Sequence, residues 1–221
     1  MKSRLGANGG RALDPVDPTT AGQAAHSWEA YYAPELTWYR HMRNVLHHLP
    51  MFRALRRLQP QRVLEVGAGT GSHSIFLSYF GRQAISVDLS APLIGRCVRH
   101  NSRLRGNARF AAMDAFHLGF HDRAFDVVFS QGFFEHFADE QIEALLAEQS
   151  RVAPHVVLSV PNRRYDVQDF GDERLLTKEE WETMLSRLGY RLLVSANYAP
   201  VRARFWRGGR DMYLAVLERA R

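Results

Sequence analysis

The stretch from Val63 to Ser72 constrains the chain more than any other: Val63-Leu64-Glu65-Val66 is a short apolar run, and Gly67-Ala68-Gly69-Thr70-Gly71-Ser72 sets three alternating glycines directly behind it. An apolar run of that length bounded by glycine reads as a buried strand ending in a tight turn. Ser74-Ile75-Phe76-Leu77 follows and suits the start of a helix. Glycine lacks Cβ, so the backbone can bend sharply and come close to a ligand. The helix start is expected to offer N–H groups and a positive dipole end to an anion. Strand, glycine turn and helix in that order open an α/β unit rather than a helical bundle or a β-sandwich.

The rest of the chain keeps that alternation. Ala84–Asp88, Arg109–Ala112, Phe125–Phe129 and His155–Val160 read as strands. Ser90 is the expected N-cap of a helix with Pro92 in its first turn, where a missing N–H costs little. Leu93, Ile94, Cys97 and Val98 carry its helical spacing. Another helix starts at Asp139, with Ile142, Leu145 and Leu146 on one face. Thr177 and Glu180 form a capping-box pattern, Trp181, Met184, Leu185 and Leu188 repeat at helical spacing, and Gly189 supplies the stop. Arg191–Ala196 and Met212–Leu217 are the last strands. No helix separates them, only a segment containing Gly208-Gly209, so they are expected to pair antiparallel at one edge. The expected fold is α/β: a Rossmann-like, seven-stranded, mostly parallel sheet with helices on both faces and a C-terminal antiparallel β-hairpin.

Before the glycine turn the text differs. Residues 1–25 are rich in Gly, Ala, Pro, Asp and Thr without apolar period, and read as a flexible leader. Residues 26–60 read as an aromatic helical cap broken at Pro34 and Pro50, and residues 61–221 as the Rossmann-like domain. A single cysteine, Cys97, excludes a disulfide framework. No apolar run is long enough to span a bilayer, and the basic N-terminus lacks the apolar core of a secretory signal. A soluble cytoplasmic protein without a membrane partner, monomeric or homodimeric, is the expectation. The net charge of +6 invites a nucleic-acid partner. Its distribution argues otherwise: residues 61–190 hold fewer cations than anions, and the excess lies at the two ends, almost all of it arginine.

Two acids give the glycine turn a context. Asp88 ends the second strand, where a carboxylate can accept both ribose hydroxyls. Asp114 lies past the third strand, on the same carboxyl edge of the sheet where ligands bind at a switch point; a helix cap or loop charge is its competing role. Glu65-x-Gly67-x-Gly69-x-Gly71, followed by Asp88 and Asp114, resembles the S-adenosylmethionine site of class I methyltransferases of the small-molecule type, over about residues 60–221. The resemblance implies that Gly67, Ala68, Gly69 and Gly71 floor the methionine moiety, and that Glu65 supports the turn and reaches the ammonium through water. It implies that Asp88, with Leu89 beside it, holds the ribose and that Met113, Asp114 and Ala115 meet the adenine. Ser130 and Gln131 would sit by the sulfonium, and Tyr32, with Trp28 and Tyr31, would close over the cofactor. A nicotinamide or flavin enzyme fits less well: counting from Gly67, its G-x-G-x-x-G pattern meets Ser72 at the sixth position.

The loop Ser130-Gln131-Gly132-Phe133-Phe134-Glu135-His136-Phe137 is expected beside the transferred methyl. Ubiquinone-pathway O-methyltransferases and small-RNA end methyltransferases carry Glu-x-x-Glu-His here and bind a divalent metal; Gly132 replaces the first Glu, so no metal is expected. Glu135 and His136 are the candidate catalytic pair, His136 either as general base or acceptor-orienting group, or only packed in its loop. His41, His47 and His48 have a spacing that a metal can use, but read better as exposed helix residues. The Asn/Asp-Pro-Pro-aromatic signature of amide and nucleobase methyltransferases is absent after the fourth strand. The expected activity is methyl transfer by direct displacement to a small-molecule acceptor, most simply at oxygen. An RNA or protein methyltransferase using the basic termini, and a non-catalytic cofactor-binding protein, remain alternatives.

Overall fold

The computed structural model describes residues 28–165, 173–199 and 211–220. The leader and the Gly208-Gly209 segment lie outside them. Seven strands form one sheet: β1 (Arg62–Val66), β2 (Gln83–Asp88), β3 (Arg109–Ala112), β4 (Val127–Gln131), β5 (His155–Pro161), β6 (Tyr190–Tyr198) and β7 (Met212–Arg219). Their order is β3-β2-β1-β4-β5-β7-β6. The first five are parallel, and β7 enters antiparallel between β5 and β6. The helices are α1 (Trp38–His47), α2 (Leu49–Arg57), α3 (Ser72–Ser78), α4 (Ala91–Arg103), α5 (Asp139–Val152) and α6 (Lys178–Arg187), with a 3-10 turn at Phe134–His136. No helix among the described residues is long and apolar enough to cross a membrane.

Local chemistry explains most of the boundaries. Ser90 Oγ accepts from Leu93 N at the start of α4. Thr177 Oγ1 accepts from Glu180 N while the Glu180 carboxylate accepts from Thr177 N, closing the capping box of α6. Pro50 sits in the first turn of α2, directly after the break from α1 at His48. β4 starts at Val127, two residues later than the sequence pattern indicates, because Phe125 N bonds to Val152 O at the end of α5 instead of to a strand. Val98, expected on the apolar face of α4, is exposed.

Strand alternation divides the core. Val63, Val127, Phe129, Val157 and Val216 share one face with Met51, Phe52 and Leu55 of α2. Leu64, Val66, Val87 and Val128 face the other way onto Leu118 and Val152. Leu158, Trp181, Leu185 and Tyr213 continue that second face. The helical segment before β1 therefore shares its core with the sheet.

The histidines of that segment overturn the expectation of exposure. His41 and His48 are buried, His47 half-buried, whereas Trp38 and Tyr39 stand out in solvent. Tyr39 lies off the face that docks; Trp38, in the first turn of the face that His41 and Val45 continue, only rests its ring against His41 and Tyr79, at 5.6 and 6.4 Å between centroids. His41 Nδ1 shares a hydrogen bond with Ser72 Oγ at 2.9 Å. His48 Nδ1 shares one with Tyr198 OH at 2.9 Å, and Tyr198 OH meets Ser159 Oγ at 2.7 Å. Burial, with the neighbouring His73 adding to it, pushes the pKa of His41 and of His47 down to about 4 and holds His48 well below its usual range.

These imidazoles are neutral in the fold at pH values where the unfolded chain, titrating near 6.5, is protonated. The unfolded state then binds more protons, so stability falls as the pH drops from 6.5 towards 4 and no longer depends on these groups above that window. Urea denaturation is expected to show a lower midpoint at about pH 5 than at about pH 7.5, with His41→Asn narrowing the gap. Equal midpoints in the unsubstituted chain contradict this.

Candidate active site

The site grows from Glu65, buried at the carboxyl end of β1 with 1% exposure. A lone carboxylate at such a depth is strongly disfavoured unless its oxygens are bonded. Here Ser86 Oγ donates to it from β2 at 2.9 Å, and Ser74 donates through Oγ at 2.6 Å and through N at 3.2 Å. His73 Nδ1 lies 3.1 Å from the other oxygen, and its Nε2 lies 3.2 Å from Asn44 Nδ2 on α1. A neutral His73 protonated at Nδ1 satisfies both contacts. The α3 N-terminus, expected to wait for an outside anion, thus already holds an internal one. Its two neighbouring N–H groups are also engaged: Ser72 N lies 3.4 Å from Thr70 Oγ1, and Ile75 N bonds Gly71 O.

The glycine turn is tied to β2, because Gly67 N and Ala68 N both donate to Val87 O. Gly69 has φ +50°, and a Cβ there would lie 3.0 Å from the Tyr32 ring. Gly71, at φ +75°, would meet Phe110 at 2.8 Å. Asp88 is drawn into the same turn: it accepts from Gly69 N at 3.3 Å and from Ser90 N at 3.0 Å. Burial raises its pKa above the usual carboxylate value against the pull of those N–H groups. Cys97 lies beneath, its thiol pushed up by burial, donating to Gly69 O at 3.3 Å.

A cavity of about 1260 Å³ opens over this turn. Of the residues expected at the site, Tyr32, Glu65, Gly67, Ala68, Gly69, Gln131, Glu135 and His136 line it. Gly71, Asp88, Leu89, Met113, Asp114, Ala115 and Ser130 do not. Asp88 and Leu89 cluster beside it at the end of β2, where Met113 N donates to Asp88 O. Leu89 and Asp114 are exposed. Asp114 accepts from Phe116 N at 2.9 Å and pairs with His117 Nδ1 at 3.2 Å, so in this structure it caps a turn. Ser130 belongs to β4 itself, on the face of Val128 and opposite to Gln131; it is fully buried and its hydroxyl has no partner among the described residues.

Aromatic residues roof the cavity. Residues 28–31 are helical, Trp28 stacks on Tyr32 with centroids 5.8 Å apart, and its edge contacts His136 at 4.9 Å. The segment is fastened to α4: Ser90 Oγ donates to Glu29 Oε1 at 2.9 Å, and Arg96 donates to the Glu29 carbonyl at 2.6 Å. Across the cavity Glu135 is buried, and its Oε1 lies 3.9 Å from His136 Nε2. Among the described residues no group of three or more His, Cys, Asp or Glu is placed to hold a metal ion. Reading the sequence missed His73, Asn44, Glu29 and Arg96. Only the glutamate one strand-end ahead of a histidine hinted at the first, and nothing local marked the others.

Removing the central carboxylate should be costly. Glu65→Ala leaves Ser74, Ser86 and His73 polar groups buried without their acceptor, so a loss of roughly 3 kcal/mol of unfolding free energy is expected in urea titration. A loss below about 1 kcal/mol shows the network to be dispensable.

Residues 63–154 match a family described as a methyltransferase domain. A malonyl-[acyl-carrier protein] O-methyltransferase from Magnetococcus marinus is 38% identical over 80 residues, which span 35% of this chain and 29% of that protein's length. Magnesium protoporphyrin IX methyltransferase from Synechocystis, solved with bound SAH, superposes with a TM-score of 0.65 at 16% identity, covering 92% of this chain and all of that one. A putative methyltransferase from Haloferax volcanii, in complex with its Trm112 activator, gives 0.67 at 17% identity over 88% of this chain and 98% of that one. The strand order, the glycine turn closed by Glu65 and the matched segment agree: residues 63–154 match a methyltransferase domain, and the sheet around them has the fold of the methyltransferases it superposes on.

Proposed function

We propose that this protein transfers the methyl group of S-adenosylmethionine to a small-molecule acceptor at an oxygen atom. The observation that carries the reading is the cavity walled together by the Gly67–Gly69 turn, Glu65, the Trp28/Tyr32 roof and His136. The residues fit the cofactor: the turn needs glycine where Tyr32 packs against Gly69, and Asp88 stands at the β2 end where a ribose would lie. Gly67, Ala68 and Gly69 would shape the floor, with Gly71 bending the turn behind it, Glu65 the amino-acid end, and Leu89, Met113, Asp114 and Ala115, beside the cavity, the nucleoside end. When bound, S-adenosylmethionine supplies a methyl group on an already activated sulfonium leaving group. The chain then has to orient the acceptor, exclude water and take up a proton.

Tyr32, Trp28 and Tyr31 offer ring faces to a cation and exclude water. His136, with Glu135 behind it, is the proton acceptor, so residues 26–60 act as a cap and residues 61–221 as the catalytic domain. The similarity to an O-methyltransferase supports oxygen as the atom methylated. A cytoplasmic location accords with the single cysteine.

Calorimetry with S-adenosylhomocysteine is expected to show binding that Asp88→Ala weakens about tenfold or more. No binding at millimolar ligand overturns the proposal. With an acceptor in hand, His136→Ala is expected to lower kcat roughly a hundredfold with cofactor affinity intact. An unaltered kcat leaves His136 without a role in proton transfer.

A further inference from the structure

We propose that Arg40 and Arg43 on α1 form a binding site for an anionic group, a carboxylate or a phosphate, on the methyl acceptor; the inference rests on the methyltransferase reading above. α1 docks through His41 and Val45. Arg40, Arg43 and His47 follow one another at i, i+3 and i+7, and all three line the cavity. Both guanidiniums are exposed and make no ion pair among the described residues. By contrast, Arg62, Arg151, Arg163 and Arg174 each meet a carboxylate at 2.6–2.9 Å. From Leu36 to Leu64 the sequence holds no Asp or Glu at all. The α1 wall therefore carries positive charge that its own surroundings do not neutralise.

The neighbouring groups sharpen this. His47 is neutral near pH 7, its pKa lowered to about 4 by burial, by His73 and by Arg43, so it can accept or donate beside the two cations without adding charge. The carboxylates on the cavity wall, Glu35, Glu65, Glu135, Glu173 and Asp211, make no ion pair with either arginine. Glu65 is engaged by β2 and α3, Glu35 by Arg103, and Glu135 lies against His136. Tyr39, Met42, Tyr165 and Met212 add aromatic and apolar surface to the same cavity. A planar guanidinium binds carboxylate or phosphate through two parallel hydrogen bonds. The cavity, about 1260 Å³, exceeds the ~300–1,000 Å³ common for one ligand, which leaves room for an acceptor beside the amino-acid end of the cofactor. The ligand class that completes this wall is a small aromatic or partly apolar acid. Anchored by its anion, such an acceptor presents a distant oxygen in a fixed orientation, which is what an in-line displacement requires.

The test uses the full chain saturated with S-adenosylhomocysteine and two probes, 4-hydroxybenzoate and phenyl phosphate, with 4-hydroxybenzamide as the neutral control. At least one anion is expected to bind tenfold or more tightly than the amide, less so as salt rises. Whichever binds distinguishes carboxylate from phosphate. In the R40Q/R43Q double variant the anion is expected to lose at least tenfold, with the amide and S-adenosylhomocysteine unchanged. Three results overturn the proposal: neither anion binds, the amide binds as well as the acids, or the double variant weakens S-adenosylhomocysteine instead, which assigns the arginines to the cofactor's own carboxylate. Absence of S-adenosylhomocysteine binding in the unsubstituted chain strikes the underlying reading alone, and the same comparison on the ligand-free chain then still decides whether α1 binds anions.

Discussion

One buried carboxylate organises this molecule. Glu65 leaves β1 and gathers donors from the neighbouring strand and from the first turn of α3. Buried charge is tolerated only when it is bonded this fully. The bonds in turn fix where α3 begins, hence how the glycine turn bends, hence where the cavity floor lies. Through His73 the same carboxylate reaches Asn44 on α1. The wall that carries Arg40 and Arg43 is therefore positioned by the acid that closes the floor, and the two halves of the cavity share one anchor.

The polar seam continues beyond it. His48, Tyr198 and Ser159 link the end of α1 to β6 and β5 by short contacts. Histidines so placed must stay neutral, and the fold keeps them so by burial. The helices before β1 are thus held to the sheet by two kinds of contact, the apolar packing of Met51, Phe52 and Leu55 and directional hydrogen bonds that specify one seating.

How much of this the sequence discloses depends on distance along the chain. The glycine turn, the Ser90 cap and the Thr177–Glu180 box are local signals, and each folds as its residues indicate. Seven strands with a closing hairpin also follow from alternation. α1 misleads because Trp38 and Tyr39 stay exposed while His41 occupies the core; hydrophobicity ranks them the other way, and the partner Ser72 explains the choice. Ser130 and Gln131 are neighbours in sequence, yet strand pleating sends them to opposite faces, so only Gln131 reaches the cavity. The roof latch between Glu29, Ser90 and Arg96 joins residues more than sixty apart, beyond any local pattern.

The placement of β7 also bears on how the chain reaches this state. β6 touches the sheet only through β7, which follows it in the chain. Until Met212–Arg219 takes its place between β5 and β6, the earlier strand lacks its native partner, and the buried row of Tyr213, Ala215 and Leu217 is missing from between them. The pairing of β5 with β7, which joins Pro161 to Met212 and His155 to Glu218, is distant in sequence, and such pairings form slowly. During synthesis, β5 would expose an unpaired edge for as long as that final insertion takes, making it the moment when one copy is most open to pairing with another.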